Sequence, residues 1–522
     1  MHRALGIPEV VQMICMELGP PKDKVYCEGP MPPYERTSLV ALARTSTFFR
    51  DPALDVLWFN ATVHRLLIYS VPPDLWEKIE DVDSPTRFRP TRAMTPNDWI
   101  RPHFYSTRAR VLRAINTTSY DFIDVFATVA LCPPPPTLFP NLHTVNWKVN
   151  FPSAGGKDLP DFRPFLGPRL ASLSFGSLFS GPHLSLLPHI AAAHPELKKL
   201  AIKSGNDSVG QLLRLTSAIS TLVCALHRLE SLDVISLDLR ALEHVGQLPT
   251  LRSLTLRDHR YASFSHANVD VTFPVLKDLT VHSDSIHTMT KFISLCSDSP
   301  VQAVDINFFE SPDATEMLVF YTTLSEHCSR ASLRQITVKL SPGFFDDTAG
   351  AGRYSLEPLL NFPHLTTVEL DSPNGFDLDD GAVPTLARAW PHLEEVVLRC
   401  AGRATAPHVT LEGIRTLAHH CPALRRLHLF LDATVVPSLA DRRIRQDALQ
   451  HLEVESSPLA TPTMAVAKFL SATFSSLTVI STAYEDVGID DAADHLAWKE
   501  VEGLLPDLLE IREQERRWAR LA

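Results

Sequence analysis

The stretch that decides the fold is CPALRRLHLF, residues 421–430. It places Leu424, Leu427 and Leu429 at offsets of zero, three and five behind a proline. Within a strand, alternate residues face opposite sides, so the second and third leucines point into one core while the residues between them point out of it. The first leucine closes the turn that enters the strand, and the proline ends the helix before it. The phrase therefore predicts a helix end followed by a short strand.

Nearly the same phrase recurs through most of the chain. Its thirteen anchor residues have a mean spacing of about 28 residues, inside the range of roughly 20–29 that is typical of leucine-rich repeats. Between the phrases lie helical patterns, for example at 208–226, 289–297, 314–328, 410–421 and 464–474. Strand followed by helix, repeated, predicts parallel strands. The anchors are Leu142, Leu170, Leu197, Leu229, Leu251, Leu276, Val301, Leu333, Leu365, Leu393, Leu424, Leu449 and Leu477.

One such unit is too small to fold alone. Its three buried apolar side chains contribute about 5–9 kcal/mol, whereas ordering the unit costs about 1–2 kcal/mol for each residue. The units must therefore stack, and the predicted fold class is α/β: a curved solenoid with a parallel sheet on the concave face and helices on the convex face. The alternative is an ordinary α/β domain whose strands are leucine-rich by coincidence.

The outward positions of the strands are the candidate target-binding residues of this concave face. Their charges are mixed, with an acidic bias toward the C-terminal end, so no stripe of one sign indicates a phosphorylated or nucleic-acid ligand. For any one of them, a merely solvated position is the alternative. The candidates are Lys199, Lys203, Arg257, His282, Asp305, Lys339, Glu369, Asp371, Arg399, Arg426, His428 and Phe430.

The composition excludes several classes of protein. The net charge of −11 argues against electrostatic capture of nucleic acid or anionic membrane. The eight cysteines are far apart and form no CxxC pair, which argues against a zinc site and a disulfide framework. No apolar stretch reaches the roughly 18–20 residues of a membrane span. We expect a cytoplasmic or nuclear protein with reduced thiols, no cofactor and no homo-oligomer.

No catalytic motif is found. AGAGRY at 349–354 contains GxG without the strand and helix of a phosphate-binding loop. HHC at 419–421 places adjacent side chains in different directions, and Cys421 is expected to be a small buried plug before a strand. Asp377, Asp379 and Asp380 lack the glutamate of a calcium loop. The chain is therefore predicted to be neither an enzyme nor a metal binder.

The N-terminus does not follow the repeat. IPEVVQMICMEL at 7–18 has apolar residues at helical spacing, with a proline where a first helical turn tolerates it. A loop rich in proline and glycine follows at 19–38, and SLVALARTSTFFRDPALDVLW at 38–58 predicts two more short helices. Three short helices bury too little surface to be stable alone, so they need a partner or the repeats.

These residues resemble the F-box, in which an apolar-Pro pair opens a helix, an LxxLxRTxxxF-like helix follows and a last helix ends in Trp. The resemblance implies docking on the Skp-type linker subunit of a cullin-based SCF ubiquitin ligase. The alternative is an N-terminal cap for the solenoid. The residues that carry the resemblance, and that it implies for linker binding, are Ile7, Pro8, Val11, Ile14, Leu18, Leu39, Leu42, Phe49, Leu54, Leu57 and Trp58.

The whole chain is similar to fungal F-box and leucine-rich-repeat proteins, which implies a substrate receptor for an unidentified target protein. A scaffold with the same repeats and no link to a ligase is the alternative. The C-terminus is expected to form a helix, a break at Pro506 and a charged helix. The predicted domains are an F-box-like domain at 1–60 with the inserted loop 19–38, a helical linker or cap at 61–135, a solenoid of about 13 repeats at 136–485, and a helical cap at 486–522.

Overall fold

A computed structural model of the chain describes most of the sequence and divides it into two compact units, Met1–Ile235 and Ser236–Ala522. The described residues are 7–19, 33–81, 84–115, 120–135, 138–148, 163–176, 184–203, 209–257, 271–297, 299–341, 352–400, 407–438, 444–459, 462–482 and 493–521.

The first unit begins with three helices, as the sequence predicts. Ile7 is extended at the N-cap of the first helix, and Pro8 occupies its first turn, where a missing N–H is tolerated. The Ser46 hydroxyl accepts a hydrogen bond from Phe48 N at 3.0 Å and so caps the third helix. The second helix begins inside the predicted loop, of which residues 20–32 lie outside the described residues. The helices are α1 (Pro8–Glu17), α2 (Pro33–Thr45) and α3 (Thr47–Phe59).

Residues 61–135 differ from the helical linker that the sequence predicts. The segment contains two helices but also strands, two of which pair in parallel and so extend the sheet of the repeats. Leu112 and Ala114 are buried at alternate positions, which is the pattern of a strand, but no proline-leucine phrase precedes them. The elements are β1 (Asn60–Thr62), β2 (Trp76–Asp81), β3 (Ser84–Pro90), β4 (Val111–Ile115), β5 (Tyr120–Asp121), α4 (Ile100–Ser106) and α5 (Ile123–Leu131).

Each of the thirteen anchors is buried and is followed by a strand that begins two residues later, which confirms the repeat. In the first unit the strands are β6 (Thr144–Lys148), β7 (Ser172–Phe175), β8 (Lys199–Ile202) and β9 (Ser231–Val234). In the second they are β10 (Ser253–Leu256), β11 (Asp278–Ser283), β12 (Ala303–Phe308), β13 (Gln335–Leu340), β14 (Thr367–Ser372), β15 (Glu395–Cys400), β16 (Arg426–Leu429), β17 (His451–Glu453) and β18 (Val479–Ser481).

The strands of each unit form a parallel sheet. In the first unit the order is β1-β4-β6-β7-β8-β9, and in the second β10 to β18 follow chain order. A separate small sheet in the first unit joins β2, β3 and β5. In the second unit Leu427 lies in register with Val396 and Leu452, so equivalent apolar residues of neighbouring repeats stack in rows. This stacking supplies the burial that a single repeat lacks.

Helices between the strands complete the units. Thr410 and Asp313 cap two of them through their side chains. In the first unit the helices are α6 (Leu187–Ala193) and α7 (Val209–Cys224). In the second they are α8 (Leu239–Gly246), α9 (Ile286–Ser294), α10 (Ala314–His327), α11 (Val383–Ala389), α12 (Leu411–His420), α13 (Thr463–Thr473) and α14 (Ala493–Leu521).

The C-terminal helix corrects one prediction. Pro506 lies inside α14 and does not break it into two helices. A proline removes one backbone hydrogen bond of the helix, and here the burial of Trp498, Val501 and Leu505 on the preceding turns offsets that loss. The described part of the chain contains seven cysteines, all of them free thiols. No described helix has both the length and the apolar character needed to cross a membrane.

Candidate functional site

The first candidate surface lies on α1. Ile7, Ile14 and Leu18 are seven and four residues apart, a spacing that places them on one side of a helix. Ile7 is 46% exposed and Leu18 is 37% exposed, while Ile14 is half-buried. Met13, about a third of a turn around α1 from these residues, is 66% exposed. We call Ile7, Ile14 and Leu18 the helical docking surface, since they leave apolar area uncovered beside the core of the three helices.

The other residues of the predicted linker site have different places. Val11, Leu39 and Phe49 are buried in the core of the three helices, together with Cys15 and Ala53. They hold the helices together inside this core, and linker binding at those three positions stays a prediction. Leu42 and Leu57 pack against the same core, Leu54 is half-buried and Pro8 is exposed.

Trp58 makes a stacking contact within the first unit. Its ring stacks on that of Tyr105 in α4, with centroids 4.5 Å apart and an interplanar angle of 18°. The Arg108 guanidinium, which lies 5.0 Å from the centroid of the Phe104 ring, donates a hydrogen bond to Asp51 Oδ1 at 2.8 Å and also pairs with Asp55. Together these contacts hold α3 against α4 and against the segment that follows α4.

The second candidate surface is the face of the sheets that carries the outward strand residues, which we call the open face. In the first unit Lys199 is exposed and Lys203 is half-buried. In the second unit Arg257, His282 and Phe430 are half-buried. The neighbouring buried positions of the same strands are apolar except for Ser283 of β11, so the alternation of the phrase does separate core from open face.

Charged residues of β13, β14 and β15 form a connected group on the open face of the second unit. Lys339 Nζ lies 3.1 Å from Glu369 Oε2, and Arg399 donates to Glu369 Oε1 at 2.7 Å. Asp371 is only 8% exposed; its Oδ1 lies 3.4 Å from Arg399, and its Oδ2 accepts a hydrogen bond from Leu340 N at 3.1 Å. Lys339 and Arg399 are therefore both paired with an acidic residue of the same sheet.

A second group follows on β15, β16 and β17. Arg426 donates to Glu395 Oε1 at 2.8 Å and lies 3.4 Å from Glu453 Oε2. His428, 3% exposed, has Nε2 at 2.8 Å from Glu455 Oε1 and Nδ1 at 3.1 Å from Glu453 Oε2. The Nδ1 contact has ion-pair distance without hydrogen-bond geometry. We call the five residues Glu395, Arg426, His428, Glu453 and Glu455 the histidine cluster.

The histidine cluster shifts the pKa values of His428 and Glu453. Burial opposes the charged form of His428, but its ion pair with Glu453 and its hydrogen bond with Glu455 outweigh burial and raise the pKa of the imidazole. The ion pair with His428, aided by Arg426, lowers the pKa of Glu453 to about 2. Folding therefore favours an imidazolium between carboxylates. His428 acts as an internal cation and offers almost no surface to a partner.

Asp305 differs from the paired acids. Burial raises the pKa of its half-buried carboxyl group, although Lys339 and His282 act in the opposite direction. Its carboxylate makes no hydrogen bond or ion pair with another of the described residues. Of the predicted candidates in the second unit, Asp305 thus lies outside these ion-paired groups, whereas Glu369, Asp371, Arg399, Arg426 and His428 are joined to one another or to neighbouring acids.

The motifs that the sequence rejects as metal sites have structural roles. Cys421 is buried and its Sγ lies 3.6 Å from Trp390 O, as expected for a plug before the strand. Asp379 Oδ1 accepts from Ala382 N at 2.8 Å, and Asp380 Oδ1 accepts from Thr410 N at 2.8 Å. Within the described ranges, no group of three or more His, Cys, Asp or Glu residues could hold a metal ion.

Sequence reasoning missed a cleft in the second unit, lined by residues that include Arg353, Phe376, Cys400 and Val409. The residues come from four repeats and lie between positions 353 and 430, so no local pattern connects them. The one available signal was that loops after the strands carry recognition residues in repeat proteins.

Comparisons with known proteins add the following. No family model matches the sequence, and no curated protein matches it. Among solved structures, the chain is similar to a chain in the crystal structure of the Rad7 and Elc1 complex from yeast, with a TM-score of 0.36, 13% identity, and coverage of 92% of this chain and 94% of that one. It is also similar to a protein from Bacteroides fragilis solved by structural genomics, with a TM-score of 0.23, 12% identity, and coverage of 60% and 66%.

Proposed function

We propose that the protein is the substrate-recognition subunit of a cullin-based ubiquitin ligase of the SCF type. In this proposal α1–α3 bind a Skp-type linker subunit, and the repeats bind a target protein in the cytoplasm or nucleus. The transfer chemistry belongs to other subunits. The contribution of this chain is to hold the target close to them, which raises its effective concentration.

The observation that carries the proposal is the helical docking surface. Ile7, Ile14 and Leu18 present apolar area beside a small core of three helices, at positions that the F-box resemblance assigns to linker binding. Exposed apolar area of this kind is typical of an interaction site. The many paired charges of the open face support the second half of the proposal, since a surface fixed by its own ion pairs is preorganised for a partner.

Charge on the helical docking surface is expected to abolish linker capture. In the double variant Ile7→Asp and Leu18→Asp, both carboxylates would be buried against the linker without a partner, so we expect capture of a Skp-type subunit in co-purification to fall by at least tenfold. Met13→Asp is the matched control, because Met13 is exposed on the same helix and lies outside the helical docking surface. It should leave capture unchanged.

These variants are sharper tests than changes at Trp58 or Leu42. Trp58 stacks on Tyr105 and Leu42 packs against the helix core, so charge at either position would disturb folding as well as binding. Thermal unfolding of each variant shows that its fold is intact. If the wild-type protein captures no linker subunit where other F-box proteins do, the ligase proposal fails and the scaffold without a ligase becomes the better description.

A further inference from the structure

Three basic side chains of the first unit meet at Asn141, beside the edge of the sheet where β4, β6 and β7 begin. Arg110 Nη1 donates to Asn141 O at 3.1 Å, and His143 Nδ1 lies 2.7 Å from the same oxygen. Arg169 Nη1 lies 3.5 Å from Asn141 Oδ1. Asn141 is itself held in place, since its Nδ2 donates to Thr107 O at 2.8 Å. We call Arg110, His143 and Arg169 the basic cluster.

Backbone hydrogen bonds position the basic cluster. Arg110 N donates to Phe59 O at 3.1 Å, and Arg110 O accepts from His143 N at 2.9 Å. His143 O in turn accepts from Ala171 N at 2.9 Å. The turns that enter the three strands are all among the described residues. A site held by the sheet in this way loses little conformational entropy when a ligand binds.

The basic cluster keeps most of its hydrogen-bond donors. A guanidinium carries five N–H groups. Arg110 and Arg169 each direct one nitrogen at Asn141, and their other nitrogens make no hydrogen bond or ion pair with another described residue. Because a carbonyl oxygen only accepts, His143 Nδ1 carries its hydrogen, and Nε2 takes no part in this contact. Asn141 is neutral, so it accepts hydrogen bonds without compensating the positive charge.

Cations on either side of the basic cluster have acidic partners, whereas no described acid pairs with the cluster itself. Like charges that converge without a counter-ion repel each other, so an anion bound between them is favoured. Two permanent charges and a titratable imidazole match the charge of about −1.5 to −2 on a phosphate monoester better than the single charge of a carboxylate. The neighbouring pairs are Arg108 with Asp51 and Asp55, Lys198 with Glu230, and Arg228 with Glu196.

We propose that the basic cluster binds the phosphate group of a phosphorylated serine or threonine in a segment of a partner protein. Arg110 and Arg169 donate to the phosphate oxygens, and a protonated His143 adds a third donor. Since His143 and Arg169 are exposed, the bound group stays open to solvent on one side. Such a site suits a phosphate carried on a protein chain, because small molecules are held in concave pockets that bury most of their surface. The inference rests on the proposed function only in making the segment part of a target.

Direct binding of a phosphopeptide to the purified full chain tests the proposal. The probe is a fluorescein-labelled peptide of glycine and alanine with one central phosphoserine, capped at both ends and followed by fluorescence anisotropy. We expect saturable binding that inorganic phosphate displaces and that is at least tenfold weaker for the same peptide with serine. Absence of saturable binding up to millimolar peptide overturns the proposal. Binding of inorganic phosphate alone, measured by calorimetry, overturns the assignment to a protein segment.

Charge variants locate the phosphate. Arg110→Gln and Arg169→Gln should each weaken peptide binding at least tenfold. Arg228→Gln is the matched control, because Arg228 is exposed on the same edge but is paired with Glu196, and it should leave binding unchanged. Arg110 is half-buried, so thermal unfolding must show that its variant folds, whereas Arg169 is exposed and its variant is expected to keep the fold.

Asn141→Asp gives a second test that removes no cation. The new carboxylate has nearly the same shape and supplies Arg110 and Arg169 with an internal counter-ion, so we expect peptide binding to fall at least tenfold. Wild-type affinity in folded Arg169→Gln and Asn141→Asp proteins contradicts the site. Binding itself requires no linker subunit, so phosphopeptide binding without linker capture leaves this inference standing and rejects the ligase.

Discussion

Leu427→Ala is expected to lower the free energy of unfolding by about 2–5 kcal/mol, the range of a leucine that loses its side chain in a packed core. Leu427 is fully buried in β16 and stacks in register with Val396 and Leu452 of the neighbouring repeats. The cavity would therefore loosen three repeats at once. Urea unfolding followed by circular dichroism gives the measurement.

Val435→Ala is the matched control for this prediction, because Val435 is an exposed apolar residue shortly after the same strand. It should change the free energy of unfolding by no more than about 0.5 kcal/mol. Equal small losses for Leu427→Ala and Val435→Ala would contradict the account in which the rows of apolar residues stabilise neighbouring repeats. If unfolding has more than one transition, a loss of stability confined to one of them would assign that transition to the second unit, which contains Leu427.

His428→Asn is expected to destabilise the protein by about 2–3 kcal/mol near pH 5.5, because Glu453 and Glu455 lose their charged partner in a mostly buried place. Folding raises the pKa of His428, so the imidazolium contributes fully below its ordinary value of 6.5 and its contribution is lost as pH rises through the folded pKa. The pKa of Glu453, lowered to about 2, gives a contribution that is present above the ordinary value of 4.5 and is lost as pH falls.

The difference between wild type and His428→Asn should therefore be largest between about pH 4.5 and 6.5 and should shrink at pH 8.5. Urea unfolding of both proteins at pH 5.5 and 8.5 measures it. Leu427→Ala, one residue away on the opposite face of β16, is the control and should show the same loss at both pH values. A difference for His428→Asn that grows with pH would contradict a charged imidazole in the cluster.

The strands of the repeats could be predicted because their signal is local. Leu424, Leu427 and Leu429 specify a turn and two inward positions within six residues, and all thirteen copies lead to a strand. β1 and β4 could not be predicted in the same way, since neither follows the phrase, although β1 pairs with β4 and β4 pairs with β6. Their place in the sheet depends on contacts between residues about fifty apart, as in the pair of Ala61 and Leu112.

The outward residues also combine features that the local sequence predicts with features that depend on distant residues. Alternation identified Asp371 and His428 as outward, but it could not show that both are nearly buried by the side chains and backbone of neighbouring strands. Burial of this kind depends on which charges stand opposite each other about one repeat away in sequence. The same reason explains why the cleft at Leu398 and Leu429 was missed.

The junction between α3 and β1 has a mechanical consequence. Phe59 is the last residue of α3 and Asn60 the first of β1, so a single peptide bond joins the helix to the sheet of the first unit. Asn60 pairs with Val111, and Trp58 stacks on Tyr105. A partner that binds α3 would thus be connected to the first strand without a flexible linker, over the roughly 3.8 Å between successive Cα atoms. A force applied to the helix would act directly on the strand, as a shear across the backbone hydrogen bonds between β1 and β4.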